Sequence, residues 1–126
     1  MFAAFAKSAA VERPGTGALV LTAEQAKAHG VYVHASLYEH QPMADGRGLN
    51  VAIIVSPAGE LVARTPKLHI PVTAGYYEDK YFTPGSADGE PYPVQVVDVE
   101  GCGTVRLGMP TCWDEWFPEE IGRAHV

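Results

Sequence analysis

The sequence predicts an α+β fold of the α/β type, a single unit built mainly on β-strands, and three patterns lead to this prediction. Residues 104–109 alternate apolar with polar or small side chains, which is the period of a strand that packs on one face. Residues 50–56, NVAIIVS, contain an unbroken apolar run that indicates a strand buried on both faces. Thr22 and Gln25 form a capping-box pattern, which predicts a helix over 23–28 that ends at Gly30.

Turn residues bound the other predicted strands. Residues 57–60, Pro-Ala-Gly-Glu, form a turn, and residues 61–65 then return as the hairpin partner of the apolar run. Two more strands are expected over 31–38 and 94–99. The strand with the alternating pattern should end at Pro110, because proline has no N–H to donate to a sheet ladder.

The composition is that of a globular domain, with 47% hydrophobic and 19% charged residues in a chain of 126. The formal net charge of −6 argues against non-specific binding to nucleic acid. No apolar run approaches the roughly 18 residues that a membrane-spanning helix needs, so no membrane segment is expected. Two cysteines cannot form a disulfide framework, and a reducing, cytoplasmic setting is therefore expected.

Cys112 is the candidate nucleophile. It follows the end of a predicted strand and precedes the acidic and aromatic turn of residues 113–116, WDEW. A nucleophile on a sharp turn between a strand and a helix stays accessible, and the next backbone N–H is free to face a developing oxyanion. The alternative is that Cys112 is a small buried hydrophobe, since free cysteine is among the most buried residue types.

The polar residues near these segments have simpler explanations than metal binding. The sequence contains no H-x₃-H or C-x₂-C spacing, so a zinc site is not expected; the histidines are His29, His34, His40, His69 and His125. No other cofactor is expected either. We expect His69 to be a packed or loop-stabilising histidine. Asp114 and Glu115 could meet a cationic group of a substrate, or they could reflect the preference for acidic residues in the first turn of a helix.

Three motifs together resemble those of the nitrilase, or carbon–nitrogen hydrolase, superfamily. They are KLHIP at 67–71, GYYEDKYFTPG at 75–85 and PTCWDEWFPE at 110–119. The similarity is greatest to N-carbamoylputrescine amidase-like and β-ureidopropionase-like members, and it runs continuously from about His29 to Glu119. The resemblance implies that the chain is part of a four-layer α-β-β-α sandwich.

The resemblance also implies a hydrolase that acts on non-peptide carbon–nitrogen bonds through a cysteine thioester intermediate. By the match of motifs, Cys112 would be the nucleophile. Lys67 and the backbone N–H of Trp113 would stabilise the tetrahedral intermediate, and Glu78 would hold the lysine and the substrate amide. The implied substrate is a small amide or carbamoyl amine, and the full-length parent would be a homo-oligomer.

The chain departs from the family pattern in two ways. The family's general-base glutamate lies in a Leu-Pro-Glu-like context, whereas Glu12 and Glu24 have unrelated surroundings. Family domains also continue well beyond the cysteine. We therefore expect residues 1–126 to be an internal fragment, a partial domain that is inactive alone. Residues 121–126, IGRAHV, equal the translation of a widely used sequencing adapter, so residues 120–126 are expected to be an artefactual tail.

Two other function classes compete with the hydrolase. One is a non-catalytic interaction protein that reuses the nitrilase-like sheet, an interpretation supported by the missing general base. The other is a thiol redox protein that uses Cys102 and Cys112, which is disfavoured because redox pairs are usually spaced as C-x-x-C.

Overall fold

The computed structural model describes residues 16–42 and 45–123. Its elements are helix α1 (Thr16–His29), strands β1 (Val33–His40), β2 (Gly48–Val55), β3 (Leu61–Pro66), β4 (Val72–Thr73) and β5 (Tyr76–Tyr77), a first 3₁₀ helix (Glu78–Lys80), strands β6 (Gln95–Val99) and β7 (Gly103–Leu107), a second 3₁₀ helix (Cys112–Trp116), and helix α2 (Pro118–Arg123). The second 3₁₀ helix is called the Cys112 helix below. None of the helices in these described ranges is long and apolar enough to cross a bilayer.

The strand β2 forms the centre of an antiparallel sheet with the order β1-β2-β3. All residues from Val51 to Ser56 are buried, as the apolar run predicted. The partner β3 pairs with β2 from Val51 opposite Pro66 to Val55 opposite Leu61, with one register irregularity between Ile54 and Val55. The predicted hairpin of these two strands is therefore confirmed.

Successive residues of β2 contribute to two separate apolar clusters, one on each face of the sheet. On one face, Val51, Ile53 and Val55 pack with Ala26 of α1. On the other face, Ala52 and Ile54 pack with Ala63 and Met109. Because a strand alternates its side chains between two faces, β2 joins a helix layer to the segment that precedes the Cys112 helix.

The helix α1 begins at Thr16 and not at the predicted Ala23. Thr22 lies inside it, where its hydroxyl donates to the Ala18 carbonyl oxygen at 2.7 Å, so the predicted N-cap is wrong. Leu19 packs against the core cluster of α1 and β2, and this packing stabilises the part of the helix before Thr22. The predicted end of the helix is confirmed, because Gly30 has a left-handed φ of +64°.

The strand β7 ends at Leu107, before the predicted limit at Pro110. Its partner β6 begins at Gln95, which pairs with Leu107, so no neighbouring strand is present to extend the ladder. The chain continues without regular structure to Met109, which is 3% exposed in the second apolar cluster. This burial fixes the position at which residues 110–112 begin.

Backbone hydrogen bonds connect the segment from β4 to Gly85 with the start of β2 and with Lys67, which directly follows β3. The Gly48 N–H donates to the Tyr81 carbonyl at 3.1 Å, and the Gly48 carbonyl accepts from the Thr83 N–H at 2.9 Å. The Gly85 N–H donates to the Lys67 carbonyl at 2.9 Å. The two family-like motifs at 67–71 and 75–85 are thus held side by side.

Candidate active site

Lys67 is a buried cation that pairs with the Glu78 carboxylate. It directly follows β3, and its N–H donates to the Asn50 carbonyl of β2 at 2.8 Å. Only 1% of the residue is exposed. Its Nζ donates to Glu78 Oε2 at 2.6 Å. A buried ammonium needs such a partner, because an unpaired charge in a dry site is strongly destabilising.

Glu78 stands at the start of the first 3₁₀ helix and reaches Lys67 from the solvent side. Its N–H donates to the Pro71 carbonyl at 3.3 Å, and its own carbonyl accepts from the N–H groups of Tyr81 and Phe82. Its side chain is 26% exposed, so one side of the ion pair contacts water. The structure therefore brings together two of the predicted site residues.

Cys112 opens the Cys112 helix with a left-handed backbone. Its φ of +57° is the only positive value at a non-glycine residue in the described ranges. A non-glycine residue in this region costs about 1–3 kcal/mol, and such strain is often found at functional sites. The thiol-bearing residue is exposed, so the alternative of a small buried hydrophobe is wrong.

A capping box holds the backbone on both sides of Cys112. The Thr111 side chain accepts from the backbone of Asp114, and the Asp114 side chain accepts from the Thr111 N–H at 3.4 Å. A capping box satisfies two backbone donors at a helix start. The Thr-x-x-Asp pattern around Cys112 is thus the local reason for the turn that carries the cysteine.

A histidine and an aspartate connect this turn to the lysine segment. Asp114, which is 3% exposed, accepts from the His69 N–H and lies 2.9 Å from His69 Nδ1. The His69 ring also stacks on Phe117 with centroids 3.4 Å apart. The prediction that His69 stabilises a loop fits this contact, but its pairing with Asp114 was missed. Each of the two residues lies two positions after a candidate site residue, and this parallel spacing was the available signal.

A groove of about 420 Å³ runs beside these contacts. Its wall is mainly apolar and aromatic, with Trp113 and Phe117 on the cysteine side. Arg47 and Asp79 supply charged groups; the other lining residues are Leu68, His69, Ile70, Val72, Phe82 and Pro84. An apolar groove with a few charged groups is the usual form of a small-molecule site. Lys67, Glu78 and Cys112 themselves do not line it.

Two carboxyl groups, Asp114 and Glu120, lie close enough for their charges to interact. Glu120 of α2 is 7% exposed. Burial, and to a lesser extent the charge of Asp114, raises the pKa of Glu120 to about 7. Two buried carboxyl groups thus lie within electrostatic reach of each other, and only Asp114 has the His69 and Thr111 donors described above.

The sequence of the chain matches a known family. A family model described as carbon-nitrogen hydrolase matches residues 5–123. The chain belongs to the carbon–nitrogen hydrolase family. This carbon–nitrogen hydrolase chain is 30% identical over 106 residues to the N-carbamoylputrescine amidase of Solanum lycopersicum, covering 84% of the chain and 32% of that protein. It is 32% identical over 92 residues to the citrullinase of Francisella tularensis, covering 72% of the chain and 28% of that protein.

Solved structures of the same family share its fold. A carbon-nitrogen hydrolase from Helicobacter pylori G27 matches with a TM-score of 0.68 and 30% identity, over 84% of the chain and 32% of that structure. An amidase from Nesterenkonia sp. AN1, in complex with butyramide, matches with a TM-score of 0.64 and 23% identity, over 85% of the chain and 36% of that structure. The carbon–nitrogen hydrolase chain therefore adopts part of the α+β nitrilase fold, and it spans about a third of the length of these relatives.

Proposed function

We propose that the protein containing this chain hydrolyses a non-peptide carbon–nitrogen bond in a small amide or N-carbamoyl amine, with Cys112 as the nucleophile. The observation that carries the proposal is the exposed Cys112 with its left-handed φ of +57°, in a chain of this family. A strained, accessible turn is where a nucleophile can reach a carbonyl carbon. Nucleophilic catalysis of this kind divides one difficult step into two easier ones.

The reaction proceeds through a thioester. The Cys112 sulfur attacks the carbonyl carbon and loses its proton to a general base, a role that the resemblance gives to a glutamate outside the matched motifs. The tetrahedral intermediate collapses, the carbon–nitrogen bond breaks, and the nitrogen leaves with that proton as ammonia or an amine. Water then attacks the thioester, which releases the acid and restores the thiol. For a carbamoyl product, the carbamic acid decomposes to amine and carbon dioxide.

Lys67 is assigned to the oxyanion together with the Trp113 backbone N–H. A buried ammonium is suited to this role, because a fixed charge in a site without water stabilises developing negative charge strongly. The 2.6 Å contact with Glu78 supports the assignment, since it gives the buried ammonium a partner and limits its direction. Glu78 therefore positions Lys67, and its exposed side leaves it within reach of a substrate amide.

The names of the relatives support the substrate class. The curated relatives are named N-carbamoylputrescine amidase and citrullinase, and one structural relative was solved with butyramide. All three names indicate a terminal amide or ureido group on a small aliphatic compound. The groove beside Trp113, with its mainly apolar wall, is suited to the aliphatic part of such a compound.

Ammonia release from N-carbamoylputrescine and butyramide tests the proposal, measured on the full-length protein that carries this chain. We expect Cys112→Ser to abolish turnover. Cys102→Ser is the matched control, since Cys102 is also exposed but lies in the β6–β7 turn, and it should stay within a few-fold of the parent. Turnover that survives Cys112→Ser would contradict the proposal and favour a non-catalytic role for this cysteine.

A further inference from the structure

The Asp114 carboxylate is the meeting point of two segments that lie far apart in the sequence. Its Oδ1 accepts from the His69 N–H at 2.9 Å and lies 2.9 Å from His69 Nδ1. Its Oδ2 accepts from the Thr111 N–H at 3.4 Å. One carboxylate therefore bonds the segment after Lys67 on one side and the turn before Cys112 on the other.

The contact with Asp114 limits the tautomer and the orientation of the His69 ring. A carboxylate offers only acceptors, so the imidazole must present an N–H at Nδ1 to bond Asp114. The stacking of the ring on Phe117 holds the imidazole plane parallel to that side chain, within 9°. His69 is thus held at its backbone N–H, at its Nδ1 and on its ring face by the Cys112 helix and the residue after it.

We infer that Asp114 and His69 form a positioning pair that holds the Lys67 segment at a fixed distance from the Cys112 turn. The inference rests on the proposed function, because it names the contact through which two assigned site residues keep a fixed separation. Neither residue is assigned a bond to the substrate. Their effect is on geometry, and misplacement of about 1 Å can lower a rate by about a hundredfold.

A carboxylate suits this position better than a neutral side chain. Asp114 is 3% exposed, so water cannot replace a missing partner. In an asparagine, an NH₂ group replaces one of the two carboxylate oxygens. That group would face an N–H donor and could not accept from it, so at least one contact would be lost. Loss of the cap would also release the backbone strain at Cys112, since an unusual φ persists only where its surroundings enforce it.

The first experiment tests whether the Lys67 segment and the Cys112 turn are coupled, and its result does not depend on catalytic activity. Amide hydrogen exchange is followed by NMR in the full-length protein that carries this chain and in its Asp114→Asn and His69→Ala variants. We expect Asp114→Asn to speed exchange about tenfold at both His69 and Thr111, the two N–H groups that donate to Asp114. His69→Ala keeps its backbone N–H, yet it should speed exchange at Thr111, which lies in the other segment.

Protection of the β2 amides in the same spectra shows that each variant is folded. Asp98→Asn is the matched control, because Asp98 also accepts a side-chain hydrogen bond, from Thr104 at 2.7 Å, but is exposed on β6. It should leave exchange at His69 and Thr111 unchanged. If each substitution affected only its own segment while β2 stayed protected, the pair would not be a link and the inference would be overturned.

The second experiment separates the inference from the proposed function. In the full-length protein, Asp114→Asn should lower kcat by at least about tenfold with KM within threefold, because the substrate contacts remain while the reacting groups are misplaced. Full activity in this variant, with Cys112→Ser inactive, would overturn the positioning role alone. If Cys112→Ser were active, the proposed function would fail, and the exchange experiment would still decide whether the two segments are linked.

Discussion

Lys67 and Glu78 form an ion pair in which the two charges have different surroundings. Lys67 is 1% exposed, whereas the Glu78 side chain is 26% exposed. Water can solvate Glu78 when its partner is absent, but it cannot reach Lys67 in the same way. The two halves of the pair should therefore respond unequally to substitution, which is a general property of buried charges that lose a partner.

We predict that Glu78→Ala lowers the free energy of unfolding by about 3 kcal/mol, because it leaves the Lys67 ammonium buried and unpaired. Lys67→Met should change it by less than about 1.5 kcal/mol, because methionine fills a similar volume without a charge. Urea denaturation of the two variants beside the parent measures both values. Equal losses would mean that the charges share one environment.

Because of Glu120, the stability of the folded chain should fall as the pH rises. Burial raises its pKa from the usual 4.5 to about 7, so the folded state keeps the proton to higher pH than the unfolded state. The contribution of this carboxyl to stability is complete below about pH 4.5, and it is lost as the pH rises through about 7. Above this range the carboxylate is ionised near Asp114, which it repels.

We predict that Glu120→Gln stabilises the chain at pH 8 relative to the parent, and that this advantage shrinks at pH 5. The reason is that the amide cannot ionise, while other titrating groups contribute equally to both proteins. The measurement is the difference in unfolding free energy between variant and parent at the two pH values. A difference independent of pH would show that Glu120 titrates normally.

At the scale of elements, the start of β2 is the point where three segments meet. Gly48 pairs with His40 of β1 and exchanges backbone hydrogen bonds with Tyr81 and Thr83. A Cβ at this position would collide with the Glu39 carbonyl oxygen and lie 2.6 Å from Tyr38 Cζ. The loop that carries Glu78 is therefore anchored at a site where only glycine fits.

We predict that Gly48→Ala lowers the free energy of unfolding by about 2 kcal/mol, the usual cost of forcing an extra methyl group into a packed site. Gly122→Ala is the matched control. It lies in α2 with nothing within 4 Å of the added Cβ, and alanine should leave stability unchanged or raise it by up to about 1 kcal/mol. Thermal or urea unfolding compares the two; a tolerated Gly48→Ala would mean that β1 and β2 can separate without loss.

The same elements show what can be predicted from the sequence. The hairpin of β2 and β3 was predictable because an apolar run and a Pro-Ala-Gly turn are local signals, and they agree with the tertiary structure. The start of α1 was not, because Leu19 gains its place from contact with the sheet and not from its neighbours in sequence. Likewise, β7 ends at Leu107 because its antiparallel partner β6 begins opposite that residue, at Gln95, which no pattern within β7 records.

The candidate site divides in the same manner. The motifs singled out Lys67, Glu78 and Cys112, and the structure pairs the first two. The Asp114–His69 contact was missed because each residue had an adequate local explanation, a helix-start acid and a loop histidine. A contact between residues 45 positions apart leaves no periodic pattern in one sequence.

Large apolar side chains remain exposed in the described ranges. Trp116 is 80% exposed, and Tyr76, Tyr77 and Tyr81 are between half and two-thirds exposed. Three of these side chains belong to the loop that carries Glu78, and Trp116 ends the Cys112 helix. Several large apolar side chains exposed in this way often mark contact with other protein.

We predict that the 126-residue chain associates as its concentration rises through the micromolar range, and that it binds a dye specific for apolar surface. Sedimentation velocity and dye fluorescence measure the two effects. Trp116→Ser should weaken association, whereas Val20→Ser, which changes an exposed apolar residue of α1, should have a smaller effect. A monomer at every concentration, with no dye binding, would contradict the prediction.

The sequence separation between His69 and Asp114 also affects the order in which contacts form during folding. Closing a chain of 45 residues costs on the order of 3 kcal/mol of entropy, so this contact should form late during refolding. Cys102, by contrast, lies in a turn closed by its own N–H to the Val99 carbonyl at 2.9 Å, which forms locally. The reactivity of Cys112 toward an alkylating agent, followed against that of Cys102, would then record when this contact between the two segments is made.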